Sequence, residues 1–324
     1  MRLSLLDRLL VRAVELYMRR SFRGLVKRRI KRAKGLNGKF SLAVPLSADD
    51  KFLWRKIFDH DPRFPIISDK LELRTWIAAE GIDVALPKVH WVGREAAEIP
   101  SELLIGRFVA KANHGSGTNL FIENEADAGA KLRDLGPEWL ALDYGRKTHE
   151  WGYFGIDRRL FIEERVGGTF ADVDVVRALT MGSWIGRVVR TVDLFGTKLG
   201  QVYDPAPDGD GLVLSERAPS VCNGVSDKPL PGTWDRMLEI AREIGERFDH
   251  MRVDFLTDGS AIWLSELTVY NQGGFITLAG EDPESRVSKA WDIRTSWFLT
   301  TPQTGWRRLY AWRLRLILDR AAEA

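Results

Sequence analysis

The 324-residue chain has a single cysteine, Cys222. No intramolecular disulfide can form, and a reducing compartment such as the cytoplasm fits. No apolar run is long enough to span a bilayer. Arg8 and Arg12 interrupt the first hydrophobic stretch, which makes it a poor signal peptide. Internal repeats and low-complexity tracts are absent. The first 40 residues hold only 2 acidic side chains against 13 basic ones, and residues 305–324 hold 2 against 5. The middle, 41–304, reverses this with 41 acidic and 30 basic. Basic ends on an acidic body point to an anionic surface as partner. No recognition motif accompanies the charge, so nucleic acid is not expected. What is present is 44% apolar residues, enough for one large core or two to three interlocked subdomains.

Residues 3–30 read as an amphipathic helix. Leu6, Leu9, Leu10, Ala13 and Tyr17 fall on one side, with Arg8, Arg12, Glu15 and Arg19 on another. Either the helix lies on an anionic membrane, with Tyr17 as anchor, or it packs on the body with a solvated basic face. Gly35 to Pro45 reads as a linker. Residues 47–59 read as a helix capped by Ser47, and 69–80 as one capped by Asp69 and stopped at Gly81. Further helices are expected over 125–142, 233–248 and 284–299. Strands are expected after Pro87, over 108–112 and 159–166, and in a hairpin over 173–193. Tyr203 to Asp227 reads as loop. These elements make three parts: a basic helical segment (1–40), a body (41–304) and a basic C-terminal helix (305–324).

The stretch HMRVDFLTDGSAIWLSELTVYNQGG, residues 250–274, is the strongest candidate for chemistry. It reads as two strands about an Asp258-Gly259 turn, with Arg252 and Asp254 on one and Glu266 on the other. Carboxylates inside apolar strands need a partner. That partner is either a buried ion pair with Arg252 or a divalent cation such as Mg²⁺, which takes one or two carboxylates plus phosphates. A two-residue turn would set Asp254 opposite Trp263 and send Glu266 to the other face. A shared metal therefore requires an odd loop or a one-residue bulge. Earlier in the chain, Lys111 runs into Asn113-His114-Gly115-Ser116-Gly117. Such glycines let N–H groups cradle phosphates, although the lysine precedes them and the pattern is not a Walker motif.

Four strings, DKLELRTWIAAEGIDVALPKVHWVG, RFVAKANHGSGTNL, RRLFIEERVGG and MRVDFLTDGSAIWLSELTVYNQGG, occur in order over about residues 69–280. In content and spacing the chain resembles the TupA-like group of ATP-grasp enzymes, linked to teichuronopeptide and polysaccharide biosynthesis. The resemblance implies an α+β fold in which two subdomains, about 94–168 and 169–304, grip ATP. It implies that Lys70 and Lys111 contact the phosphates and that Asn113, His114, Gly115, Ser116 and Gly117 cover them. Glu163, Glu164 and Val166 would form the adenine-side hinge, with Asp174 also on the ATP side. Asp254, Glu266 and Asn271 would hold Mg²⁺, Arg252 would stabilise developing charge, and Gly273 and Gly274 would line the acceptor side. Two positions depart from the family pattern. Val175-Val176 replaces the Tyr-Lys that usually follows Asp174, leaving Arg177 to substitute for the lysine. Thr268 stands where many ATP-grasp ligases have asparagine. The implied activity is ATP-dependent carboxylate–amine ligation through an acylphosphate, acting on a uronic acid or amino acid. An ATP-binding scaffold at the inner membrane face, or a phosphotransferase, are the alternatives.

Overall fold

The computed structural model describes residues 3–32, 41–168, 173–194, 197–208, 211–216, 219–220, 222–274 and 285–323. Ten α-helices, eleven strands and several 3₁₀ turns are found among them. The linker expected over 35–45 lies partly outside the described residues; at its described end Leu42, Ala43 and Val44 are buried in the core.

The N-terminal amphipathic segment is two helices, α1 (Leu5–Ser21) and α2 (Arg23–Arg32), broken at Phe22. The Phe22 ring packs between Tyr17 and His149. Next comes α3 (Ala48–Phe58), whose cap Ser47 accepts from Asp50 N–H as expected. All eleven residues of α3 are buried, charged ones included. Backbone carbonyls and carboxylates from across the chain satisfy them. Arg55 donates to Asp249, His250 O and Val269 O, Lys51 to Ser288 O, and Lys56 to Thr148 O and Gly273 O. Two short helices follow, α4 (Arg63–Ser68) and α5 (Glu72–Ala79). Asp69 between them accepts from the N–H groups of Leu71 and Glu72, and Gly81 ends α5 at φ +67°.

A small antiparallel sheet comes next. Its strands are β1 (Val89–Gly93), β2 (Phe108–Ala112), β3 (Asn119–Phe121) and β4 (Leu160–Glu164), in the order β1-β4-β2-β3. Side chains alternate faces. Ala110, Ala112, Leu160 and Ile162 form a core with Leu132 and Trp139 of α6 (Ala128–Ala141). Val109, Lys111 and Glu163 are left on the opposite face.

A larger sheet holds β5 (Asp174–Met181), β6 (Trp184–Leu194), β7 (Thr197–Pro205), β8 (Leu212–Leu214), β10 (Met251–Thr257) and β11 (Ile262–Thr268). The order is β11-β10-β5-β6-β7-β8, and β9 (Gly224–Val225) pairs with β7. Val176, Ala178, Val253 and Phe255 pack on one side with the buried face of α7 (Trp234–Gly245). Val175, Arg177, Asp254 and Leu256 face a cleft on the other. The region read as loop, 203–227, thus contributes the end of β7 and two further strands of three and two residues, too short to show a period. The helix expected over 284–299 is broken into α8 (Arg286–Ala290) and α9 (Trp297–Thr300), with a 3₁₀ turn between. Buried Trp291 donates to Asp249, and Asp292 and Ser296 restart the chain. The chain closes with α10 (Gly305–Ala322).

Candidate active site

The β10–β11 hairpin brings its charges together through an irregular register. Thr257 pairs with Ile262, leaving a loop over residues 258–261. The Asp258 carboxylate holds the loop by accepting from the N–H groups of Ser260 and Ala261 at 2.9 Å. A regular ladder from this even loop would set Ser265 opposite Asp254. Instead Phe255 pairs with Leu264 and Asp254 with Glu266, so Ser265 is a bulge. Leu264 and Leu267 remain in the core while both Ser265 and Glu266 turn to the cleft.

Arg252 sits between the two carboxylates. It donates to Asp254 Oδ1 at 2.6 Å and Oδ2 at 2.8 Å, to Glu266 Oε1 at 2.6 Å and to Asn271 Oδ1 at 3.0 Å. Arg177 lies 3.4 Å from Asp254, and the Thr268 hydroxyl donates to Glu266 at 3.0 Å. Burial pushes the Asp254 pKa up, and Arg252 only partly offsets this. Burial acts on Glu266 too, but Arg252 and Lys70 outweigh it and hold that carboxyl below its ordinary range. Burial also opposes the charge on Arg252, which the two carboxylates restore and strengthen.

The small sheet supplies the opposite wall. Lys111 on β2 ion-pairs with Glu163 on β4, and Glu163 also accepts from Arg74 at 2.8 Å. Lys70, at the α4–α5 junction, donates to Gly115 O at 2.6 Å. Its pKa is lowered by burial, against the pull of Glu266. Glu164 accepts from Lys88 N–H at 2.9 Å. Lys70, Lys111, Ser116, Gly117, Glu163, Glu164, Val166, Arg252, Asp254, Glu266 and Asn271 all line one cavity of about 1350 Å³. Pockets for single ligands run to roughly 1,000 Å³, so this one has room for a nucleotide and a second substrate.

Other expected residues lie elsewhere. Asn113 and His114 turn into the scaffold. Asn113 bonds Asp69, Asp157 O and Arg159 N–H, and His114 bonds Leu142 O. Gly115 bends the loop at φ +75° over the Tyr144 ring. Asp174 departs from expectation: β5 alternation puts it on the core face, where it pairs with buried Arg190 at 2.9 Å and Lys228 at 2.8 Å. The family's lysine position, Val176, shares that face, and Arg177 is the basic side chain that reaches the cleft. Gly273 and Gly274 also depart from the acceptor-side expectation and pack on α3. Gly273 O accepts from Lys56, and a Cβ on Gly274 would meet Lys56 at 3.0 Å. Arg74, Tyr144 and Tyr153 were not singled out from the sequence. They come near only through tertiary contacts, with the two tyrosine rings 4.8 Å apart, and no local pattern marks them.

Among the described residues no three His, Cys, Asp or Glu side chains gather as a metal cage. A buried carboxylate (Asp254), a half-buried one (Glu266) and an amide oxygen around a single guanidinium fit a cation that brings its remaining ligands with it. Mg²⁺ on nucleotide phosphates is such a cation.

A family model described as TupA-like ATPgrasp matches residues 50–284, well over half of the chain. The chain belongs to the TupA-like ATP-grasp family. Its fold is the α+β ATP-grasp fold, with the two sheets described above as the facing walls. Solved structures with a similar fold include the ATP-grasp ligase PsnB complexed with minimal precursor, at 13% identity and TM-score 0.38, covering 72% of this chain and 62% of that one. Another is the D-alanine–D-alanine ligase from Helicobacter pylori, at 12% identity and TM-score 0.39, covering 70% and 60%. A third is carboxyaminoimidazole ribonucleotide synthase from Aspergillus clavatus complexed with ATP, at 19% identity and TM-score 0.35, covering 62% and 44%. The TupA-like chain thus spans less than two thirds of each of these relatives. No curated protein matches it.

Proposed function

We propose that the protein is an ATP-dependent carboxylate–amine ligase. Family membership supports ATP-dependent ligation in general. The observation that carries the finer reading is the convergence of Lys70, Lys111, Arg252, Asp254 and Glu266 on one cavity between two sheets. Phosphoryl transfer needs positioning and charge neutralisation more than covalent help from the protein. Lys70 and Lys111 meet phosphate oxygens, and Glu163 with Arg74 fixes the Lys111 ammonium in place. Asp254, Glu266 and the Asn271 oxygen would hold Mg²⁺, which when bound would supply further neutralisation of phosphate charge. Arg252 faces the transferred phosphoryl group, where a preorganised cation stabilises developing charge. The acceptor carboxylate attacks the γ-phosphorus and ADP leaves. An amine then attacks the acyl carbon, phosphate departs, and the amine loses a proton to give the amide. A uronic acid or amino acid used in surface-polysaccharide assembly is the acceptor this reading favours.

The test is product analysis with ATP, Mg²⁺ and an amine over panels of uronic acids, amino acids and nucleotide sugars. ADP and free phosphate in equal amounts, dependent on the carboxylate, are expected. ADP with a phosphorylated acceptor replaces the ligase by a phosphotransferase. ATP binding without turnover on any panel replaces it by a scaffold.

A further inference from the structure

The two chain ends pack side by side. Asp7 of α1 is buried and receives Arg313 at 2.8 Å and Arg320 at 3.1 Å from α10, together with Ser4 in a capping box. Burial alone would raise its pKa, but Ser4 and the two arginines hold it well below the usual carboxylate range. Ten residues further along α1, Tyr17 meets Trp306 of α10 edge-on at 5.0 Å. The helices are therefore antiparallel neighbours. Tyr17 is a packing residue, not the anchor of the first of the two readings the sequence allowed.

Each helix buries one face on the body and turns an apolar stripe outward. On α1, Val14 and Met18 are buried, while Leu5, Leu6, Leu9 and Leu16 are 66%, 52%, 58% and 51% exposed. On α10, Tyr310, Leu314 and Ile317 are buried, while Leu309, Trp312 and Leu316 are 42%, 55% and 36% exposed. At 3.6 residues per turn, Leu6 lies on the same stripe of α1 as Tyr17, which places it beside the α10 seam. These two helices, with Trp306, carry eight of the sixteen large apolar side chains exposed among the described residues, so the exposure is concentrated on one face. Single scattered apolar residues need no explanation, but a clustered patch does.

The rim is mostly basic. Arg8, Arg12 and Arg19 flank the α1 stripe, Arg308 and Arg315 flank the α10 stripe, and the outward side of α2 presents Arg23, Lys27, Arg28 and Lys31. The acidic exception among the described residues of these three helices is Asp319 of α10, 44% exposed and ion-paired with Arg294 at 3.1 Å. We propose that α1 and α10 together form a docking face for the surface of an anionic lipid bilayer. Leucines and Trp312 enter the boundary between headgroups and acyl chains, and the basic rim meets the headgroup charge. The site differs from a free polybasic tail. Four of its eight exposed apolar side chains come from the opposite end of the chain, and the Asp7 clasp sets the two halves edge to edge. No helix among the described residues is long and apolar enough to cross a membrane, and this face does not require one.

The experiment is co-sedimentation of the full chain with phosphatidylcholine vesicles, with and without phosphatidylglycerol. Three chains are compared: unaltered, Trp312→Ser/Leu316→Ser on α10, and Leu5→Ser/Leu9→Ser on α1. The altered positions point outward, and circular dichroism checks that the fold is kept. Binding is expected only to the anionic vesicles, falling about tenfold or more in each double variant although every basic residue is retained. No binding by the unaltered chain, equal binding to neutral vesicles, or full binding by the α10 variant would each overturn the proposal. So would a dimer in sedimentation velocity that the same substitutions dissolve, since the face would then belong to a second copy.

Discussion

Asp254 and Glu266 meet across a bulge with Arg252 between them, and this trio decides what the cleft can hold. Without a cation buried Asp254 and half-buried Glu266 would repel, and removing one member of a buried ion pair costs about 3–5 kcal/mol. Arg252→Ala is therefore a poor probe, because it damages fold and site together. Glu266→Gln is better: the amide keeps its shape and can still accept from Thr268. Turnover is expected to fall about 10²–10³-fold with the melting temperature little changed. A Glu266→Gln enzyme of undiminished rate would remove the metal role whatever the geometry. Lys56 offers a separate test of burial. Its pKa is pushed down to about 7, mainly by burial, with Glu150 opposing. Between that value and the ordinary lysine value of about 10.4, the unfolded chain binds a proton that the folded chain does not. Stability contributed by this group must then rise with pH across that window. Urea midpoints at pH 7 and pH 9 are expected to show the rise in the unaltered chain and a smaller one in Lys56→Met; the same rise in both would contradict the assignment.

At the scale of elements, the loop after β2 is where backbone conformation and function meet. Gly115 has φ +75°, and a Cβ there would lie 2.9 Å from the Tyr144 ring. Gly115→Ala combines left-handed strain with a ring clash, together about 1–3 kcal/mol. The same change moves the Ser116–Gly117 wall of the cavity. Calorimetry is expected to show weaker ATP binding and thermal melting a lower midpoint; an unchanged ATP affinity would detach this loop from the nucleotide. The loop, the helix capped by Ser47 and the acidic hairpin were all legible in the sequence because their signals are local: glycines, a cap, alternating apolar residues. The need for an odd loop or a bulge was legible too, since period-two alternation allowed no shared metal without an irregularity. Its place at Ser265 was not, because nothing local separates Ser265 from its neighbours. Asp174 was misjudged for a related reason. Its spacing after the hinge fits the family, but which face it takes depends on the β5–β10 register, and Arg190 claims it in the core. The complete burial of α3 was equally hidden, because its charges are satisfied by groups such as Asp249 and Gly273 that lie far along the chain.

Over the whole molecule, two sheets present their charged faces to one another across a cavity, while apolar layers built on α6 and α7 stiffen them from behind. The N-terminal and C-terminal helices stand outside this arrangement; the Asp7 clasp joins them to each other, and contacts with α3 and its neighbours join them to the body. The central claim is that the cavity takes ATP with its phosphates on the lysine side. The most direct test is isothermal titration of ATP with Mg²⁺ into the unaltered chain and into Lys111→Ala. Lys111 reaches the cleft from β2 and is held there by Glu163, so its loss removes a charge-assisted contact without opening the core. The account predicts Mg²⁺-dependent binding to the unaltered chain and an affinity about tenfold or more lower in the variant, the loss of about 1.5–3 kcal/mol. A folded Lys111→Ala chain that binds ATP as tightly as the unaltered one, or an unaltered chain that binds none, would contradict it.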